Sequence, residues 1–194
     1  MTRLYLNGKL APEFGASLCC NGQIFLGLQK AVRLEKEFCV GPTGVVPVND
    51  GIAGHFRTRS SGTTGSAKTV RRTHASWTAS FEVNRIYLDL TQEDSYGILG
   101  SPAHSLALYA LLEGANLGAD IHCVAGLRPS RQAAILASAA VTVLYATPTQ
   151  LRLLCQVGDT LSTVRHVLCG GGRLPKGLRQ RIATLCPYAD LHEF

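Results

Sequence analysis

Residues Val141–Leu154, VTVLYATPTQLRLL, decide the fold. The first seven are mostly β-branched or apolar and suit a buried strand. Pro148 then stands at a first helical turn, where its missing N–H is not needed and its fixed φ already fits. Thr147, just before it, can cap the helix with its hydroxyl. A strand over 141–147 therefore feeds directly into a helix over roughly 148–157. The same alternation repeats on both sides. Further β-rich runs are YGILGS (96–101), DIHCVAG (120–126), VRHVLCG (164–170) and ADLHEF (189–194). Segments of helical length lie between them, at roughly 76–89, 104–116, 129–139 and 175–186. Pro129 and Pro175 mark helix starts as Pro148 does. Trp77 with Phe81, and Leu108 with Leu112, fall one turn apart and give apolar faces to pack on a sheet. The class is α/β, a mostly parallel sheet with helices on both faces. In such folds ligands sit beyond the carboxyl ends of the strands, and the glycine-rich or polar turns of interest all follow a predicted strand.

Residues 1–53 are less regular. QIFLGLQKAVRLEKEF (23–38) reads as an amphipathic helix with its charge gathered near the end, and GPTGVVPVNDG (41–51) as a turn-rich connection. The expected division is a short irregular region over 1–53 and a second unit over 54–194. At 194 residues, 46% apolar and 16% charged, the chain is globular and long enough for a well-buried core. Its net charge of +6 favours anionic partners without choosing among them. The basic residues are scattered and no aromatic platform accompanies them, so nucleic acid is not an expected partner. The seven cysteines are odd in number, lack a C-x-x-C and lie mostly in apolar runs, as in reduced core residues of a cytosolic protein. His166 and Cys169 stand three apart with no second ligand pair, so no metal site is expected. The longest apolar stretch ends in a proline and is too short to span a bilayer, and the first ten residues do not read as a signal peptide.

The segment RTRSSGTTGSAKTVRRTH, Arg57–His74, holds the chemistry. Ser60, Ser61, Thr63 and Thr64 offer hydroxyls, Gly62 and Gly65 let backbone amides turn towards an anion, and Lys68 ends the loop with a positive charge. Read from Gly62 it is one residue from the G-x-x-x-x-G-K-[ST] loop of P-loop NTPases. Ala67, however, stands where that loop needs glycine, and the strands VTVLYAT and VRHVLCG carry no Mg²⁺-binding aspartate. A plain Ser/Thr/Gly surface loop is the alternative for the string alone.

SSGTTGSAK followed by TH resembles the phosphate-binding signature of the adenylate-forming (AMP-binding) superfamily: acyl- and aryl-CoA synthetases, peptide-synthetase adenylation domains and luciferases. That family accepts small residues before the lysine. SPAHSLALYALLEGANLGADI, VTVLYATPTQLRLL, VRHVLCGGGRLPKGLRQRI and ADLHEF resemble further family segments in the same order, so the likeness runs over 56–194. It implies that Ser61, Gly62, Thr63, Thr64, Gly65 and Lys68 hold the β- and γ-phosphates of ATP. Gly171, Gly172 and Arg173 would line the adenine; the family usually has alanine or glutamate, and often proline, at the last two. His104 would border the acid substrate or the phosphates. As a bare sequence feature, a lone histidine at a helix start is more often a packing or capping residue. His74 follows the loop as in the family, or simply opens a helix towards solvent. Arg71 and Arg72 read as a solvated basic face.

The implied reaction is ATP-dependent activation of a carboxylic acid to an acyl-adenylate, with Lys68 and His104 as its catalytic residues. Mg²⁺ would accompany the ATP, and CoA or a carrier-protein thiol would be the acceptor. The chain ends before the family's Tyr-Gly-x-Thr-Glu motif. It is accordingly expected to be a partial domain, inactive alone and completed by a missing C-terminal half or a second chain. A non-catalytic remnant or binding partner is the competing class.

Overall fold

The computed structural model describes residues 3–6, 8–10, 36–41, 44–59 and 68–194. Among these, seven strands form the main sheet in the order β11 (Asp190–Glu193), β10 (His166–Cys169), β9 (Val143–Ala146), β7 (Ser95–Ile98), β8 (Asp120–Cys123), β1 (Leu4–Leu6) and β2 (Lys9–Leu10). Every neighbouring pair is parallel except β1 with β2. A smaller sheet has the order β4 (Gly44–Pro47), β3 (Phe38–Gly41), β5 (His55–Arg59) and β6 (Thr69–Thr73). Within it β5 and β6 are antiparallel, and the chain from 60 to 68 joins them.

Helices α1 (His74–Tyr87), α2 (Ser105–Leu117), α3 (Pro129–Ser138), α4 (Pro148–Leu154) and α5 (Lys176–Leu185) alternate with the main strands. The period-two alternation of a strand sends successive side chains to opposite faces. Val143 and Tyr145 point into one core with Tyr96, Ile98, Leu168 and the α2 residues Leu108 and Leu111. Leu144 and Ala146 point into the other with Val167, Leu136 of α3, Leu151 of α4 and Ile182 of α5. Both faces are thus covered, as the continuous apolar strand runs require. Pro129 and Pro148 sit in the first turns of α3 and α4, while Pro175 lies one place earlier, at the N-cap of α5. Thr147 caps α4 in a reciprocal box: its Oγ1 accepts from the Gln150 amide at 3.4 Å, and Gln150 Oε1 accepts from the Thr147 amide at 2.8 Å.

Polar side chains tie the amino ends of the strands together. Asp94, 3% exposed, accepts from the Thr91 amide at 2.8 Å, from Thr142 Oγ1 at 2.6 Å and from Arg165 at 2.8 Å. Burial works to raise its carboxyl, but the bonds from Thr142, Arg165 and Thr91 outweigh it and hold the group below the usual carboxylate range.

Within the first 53 residues, two described stretches depart from expectation. Of the helix predicted over 23–38, residues up to 35 lie outside the described residues, and Phe38 begins β3 instead of ending a helix. Phe38 and Val40 alternate inward and are buried, which a strand achieves and a continued helix would not. The supposed connection 41–51 contains β4, paired with β3 from Phe38↔Pro47 to Gly41↔Gly44. β1 joins the main sheet beside β8, with Leu4 opposite Ile121.

α3 presses on β7 at Gly97, where an added methyl would lie 2.6 Å from Leu136 Cδ2 and 2.9 Å from Val141 Cγ1. Gly97→Ala should therefore destabilise the chain by about 1–3 kcal/mol through overpacking, read as a lower urea midpoint at unchanged m-value.

Candidate functional site

The carboxyl ends of β7, β9, β10 and β11 meet the start of α2 at one edge of the main sheet. Gly170, following β10, is a point of close approach. A methyl there would lie 3.1 Å from Phe194 Cε2, 3.2 Å from Leu106 Cδ1 and 3.3 Å from the Phe194 carbonyl oxygen. Glycine here leaves room for the turn, the first residues of α2 and the end of β11 to pack closely. Gly171 has φ +82°, a left-handed torsion suited to glycine, and Gly171 and Gly172 are both exposed. Their nearest neighbours, Thr147 Cγ2 and Pro148 Cγ, would be 3.5 and 3.9 Å from added methyls. The turn therefore shows bare backbone on its outer side, a surface on which a planar ring can lie. Glu193 holds the turn from beneath: its Oε1 accepts from the Leu174 amide at 3.0 Å, and Oε2 pairs with Arg179. Arg173 is exposed.

His104 is the N-cap of α2 with extended backbone, and its imidazole makes no capping bond. It is exposed, one residue from Ser105 and two from the Leu106 side chain that meets Gly170. His104 and the Gly171–Gly172 turn thus share one edge.

Of the predicted phosphate loop, Ser61, Gly62, Thr63, Thr64 and Gly65 lie outside the described residues, and Lys68 is exposed immediately before β6. The stem of that loop is described. Thr58 on β5 is 2% exposed, and its Oγ1 lies 3.0 Å from Ser105 Oγ within a shared hydrogen bond. This contact ties the strand leading into the loop to the residue that follows His104. Nothing in the sequence around Thr58 signals it.

Two predicted features are corrected. His74 is half-buried rather than solvent-facing. Its ring centroid lies 5.6 Å from Phe38 and 5.9 Å from Phe56, and burial pushes its pKa down. Its Nε2 is buried with no hydrogen-bond partner among the described residues. Arg71 is not simply solvated, because its Nε donates to buried Glu37 at 3.0 Å. Arg72 is exposed.

Beside Phe194 opens a groove of about 570 Å³, lined by Ser80, Asn84, Tyr109, Leu168 and His192 among others. Its polar wall is organised from below. Tyr109 shares a hydrogen with Ser80 at 2.8 Å and accepts from Asn84 Nδ2 at 3.2 Å, while Asn84 also donates to Glu113 Oε1 at 2.8 Å. Burial pushes the Tyr109 hydroxyl up to about 12, so it remains a donor across the physiological range. Among the described residues no cluster of three or more His, Cys, Asp or Glu side chains could hold a metal.

Gly170→Ala should force Phe194 and Leu106 away from the turn. Its expected signature is a lower melting temperature and a fluorescence change from a Trp substituted for Phe194. A Gly177→Ala control, where a methyl meets nothing within 4 Å, should show neither effect.

Residues 59–193 match the family model described as AMP-binding enzyme. VraA of Staphylococcus epidermidis, provisionally named a long chain fatty acid-CoA ligase, is 31% identical over 135 residues, covering 69% of this chain and 30% of that protein. The uncharacterized acyl-CoA ligase YhfT of Bacillus subtilis is 25% identical over 134 residues, covering 69% and 28%. This chain thus spans less than a third of the length of these relatives. Among solved structures, VinN with L-aspartate superposes with a TM-score of 0.61 at 18% identity, over 77% of this chain and 39% of that one. The o-succinylbenzoate CoA synthetase MenE of Bacillus subtilis in complex with AMP gives 0.60 at 22% identity, over 70% and 29%. These structures share the mostly parallel α/β fold described above, and with residues 59–193 matched the chain belongs to the AMP-binding enzyme family.

Proposed function

We propose that this chain supplies the ATP-holding part of a ligase that activates a carboxylic acid as its acyl-adenylate. The observation that carries the reading is the Thr58–Ser105 contact at 3.0 Å. It joins the stem of the loop bearing Ser61, Gly62, Thr63, Thr64, Gly65 and Lys68 to the helix start bearing His104, which in turn meets the Gly170–Gly172 turn through Leu106. Three segments far apart in sequence thereby border one edge.

In this reading the hydroxyls and amides of the loop, with Lys68, grip the β- and γ-phosphates. They orient pyrophosphate as the leaving group while a carboxylate oxygen attacks the α-phosphorus. Catalysis of this kind is mainly positioning and charge neutralisation. The exposed backbone of Gly171 and Gly172 receives the adenine, with Arg173 beside it, and His104 faces the reacting carboxylate and phosphates. The body of the acid lies in the groove past Phe194, where Tyr109 and Ser80 offer hydroxyls. Mg²⁺ would accompany the phosphates. CoA or a carrier-protein thiol is the acceptor of the activated acyl group. Because the relatives are more than three times as long as the matched segment, the complete reaction is assigned to this chain acting with a further portion or a second chain.

ATP–pyrophosphate exchange with a panel of carboxylic acids tests this. The assay is run on the chain alone and with the C-terminal portion of a curated relative added. Acid-dependent exchange is expected in the second arm, and Lys68→Ala should lower it by about a hundredfold. Absence of exchange with every acid in both arms refutes the ligase. Saturable MgATP binding without exchange would instead favour a binding module.

A further inference from the structure

Glu37 lies outside the matched residues 59–193, yet it is built into the stem of the candidate phosphate loop. It is 1% exposed. Its Oε1 accepts from Arg57 Nε at 2.6 Å and from Arg71 Nε at 3.0 Å, and Oε2 accepts from the Ile52 amide at 2.8 Å. Arg57 and Arg71 are direct cross-strand partners on β5 and β6, two residue pairs from where the strands give way to residues 60–68. Like charges placed opposite each other push an antiparallel pair apart. One buried carboxylate bonded to both removes that repulsion and makes the pair a bridge.

The chain around Glu37 is shaped to hold it. The Val48 amide donates to the Glu37 carbonyl at 2.9 Å. A methyl on Gly51 would lie 2.5 Å from Glu37 Cβ and 3.1 Å from the Val48 carbonyl oxygen, so only glycine lets this turn close over the side chain. The hydrogen bond from Arg57, then the Ile52 amide, pulls the carboxyl down to about 2 from its ordinary 4.5.

We propose that Glu37 is a positioning residue for the ATP site. By holding Arg57 and Arg71 together it fixes the β5–β6 stem, and with it the place from which the loop and Lys68 meet the phosphates. Without its charge, two guanidiniums face each other unneutralised across the stem, beside a partly buried strand pair. The proposal rests on reading residues 60–68 as the phosphate loop, and it reaches outside the family signature to a residue that touches no substrate.

Glu37→Gln keeps the side chain's volume and removes its charge. Amide hydrogen exchange over Phe56–Arg59 and Thr69–Thr73 should speed up, while that of Val143–Ala146 stays as in the parent. The Kd for MgATP, measured by calorimetry, should rise on the order of tenfold. Arg71→Gln alters a half-exposed side chain and provides a second variant should Glu37→Gln not fold. Its effect on Kd should largely vanish in the Glu37→Gln background, whereas an arginine that touched phosphate directly would give additive losses. Because the Glu37 carboxyl is depressed, the stability it contributes is present above about pH 4.5 and is lost as pH falls towards 2, and Glu37→Gln should flatten that part of the acid unfolding curve. Unchanged exchange in the stem overturns the proposal, and so does a parental Kd in Glu37→Gln or additive losses in the double variant. If the parent chain alone shows no MgATP binding, the Kd is read with the C-terminal portion of a curated relative added; absence of binding there too sinks the ligase reading, and the hydrogen-exchange experiment alone then decides whether Glu37 holds the stem.

Discussion

Helix α2 lies close against the sheet at Gly114. A methyl there would come within 3.1–3.2 Å of Ile121 Cγ1 and Cδ1 and of Tyr96 Cγ. Glycine inside a helix costs roughly 1 kcal/mol against alanine, so closeness to β7 and β8 has to supply more than that. It does so by burying Ala107, Leu108, Ala110 and Leu111 completely or nearly so. The depth of α2 then fixes everything at its first turn. His104, Ser105 and Leu106 stand where they do because the helix behind them cannot rise off the sheet. Thr58 meets Ser105, and Leu106 meets Gly170, only at that depth.

The residue before this glycine carries the opposite burden. Glu113 places a carboxyl in the apolar stripe of α2 at 2% exposure. Its Oε2 accepts from Tyr145 at 2.5 Å and from Tyr96 at 3.2 Å, and its Oε1 from Asn84 at 2.8 Å. Burial pushes its pKa up, and the bonds from Tyr145, Asn84 and Tyr96 oppose the rise. A buried group of this kind is costly to leave half-satisfied, so Glu113 and its three partners are fixed relative to one another. They come from α1, α2, β7 and β9. The polar wall of the groove, Ser80 with Tyr109 and Asn84, is an outer extension of this network and takes its placement from it.

The sequence made the second half of the fold legible because its signals are local. Thr147-Pro148 and Arg128-Pro129 mark helix starts within two residues, and parallel strands buried on both faces read as apolar runs. The first 53 residues gave no such signals. β1 and β2 are 3 and 2 residues long, and the partner of β1 is β8, across most of the chain. Phe38 follows a run with helical spacing, and only its cross-strand partners Phe56 and Pro47 make it a strand residue. At the candidate site the residue types were legible as motifs, while the bonds joining them were not. Thr58 is a threonine among arginines, and Glu37 sits in RLEKEF, where charge suggests solvent; tertiary pairing buries both.

The two ends of the main sheet divide the labour that makes a site possible. At the amino end the strands are pinned by side chains, with Asp94 bonded to Thr142 and Arg165 near the starts of β9 and β10. At the carboxyl end Glu193 holds the turn after β10 from beneath, through the Leu174 amide and Arg179. That turn can be made of Gly170, Gly171 and Gly172, whose lack of side chains would be a weakness in an unpinned sheet. The same logic holds in the smaller sheet. Glu37 fastens the β5–β6 stem by accepting from both Arg57 and Arg71. At the glycine turn bare backbone faces outward from a sheet whose opposite end is held by buried charge, which leaves a surface on which a planar ring can lie.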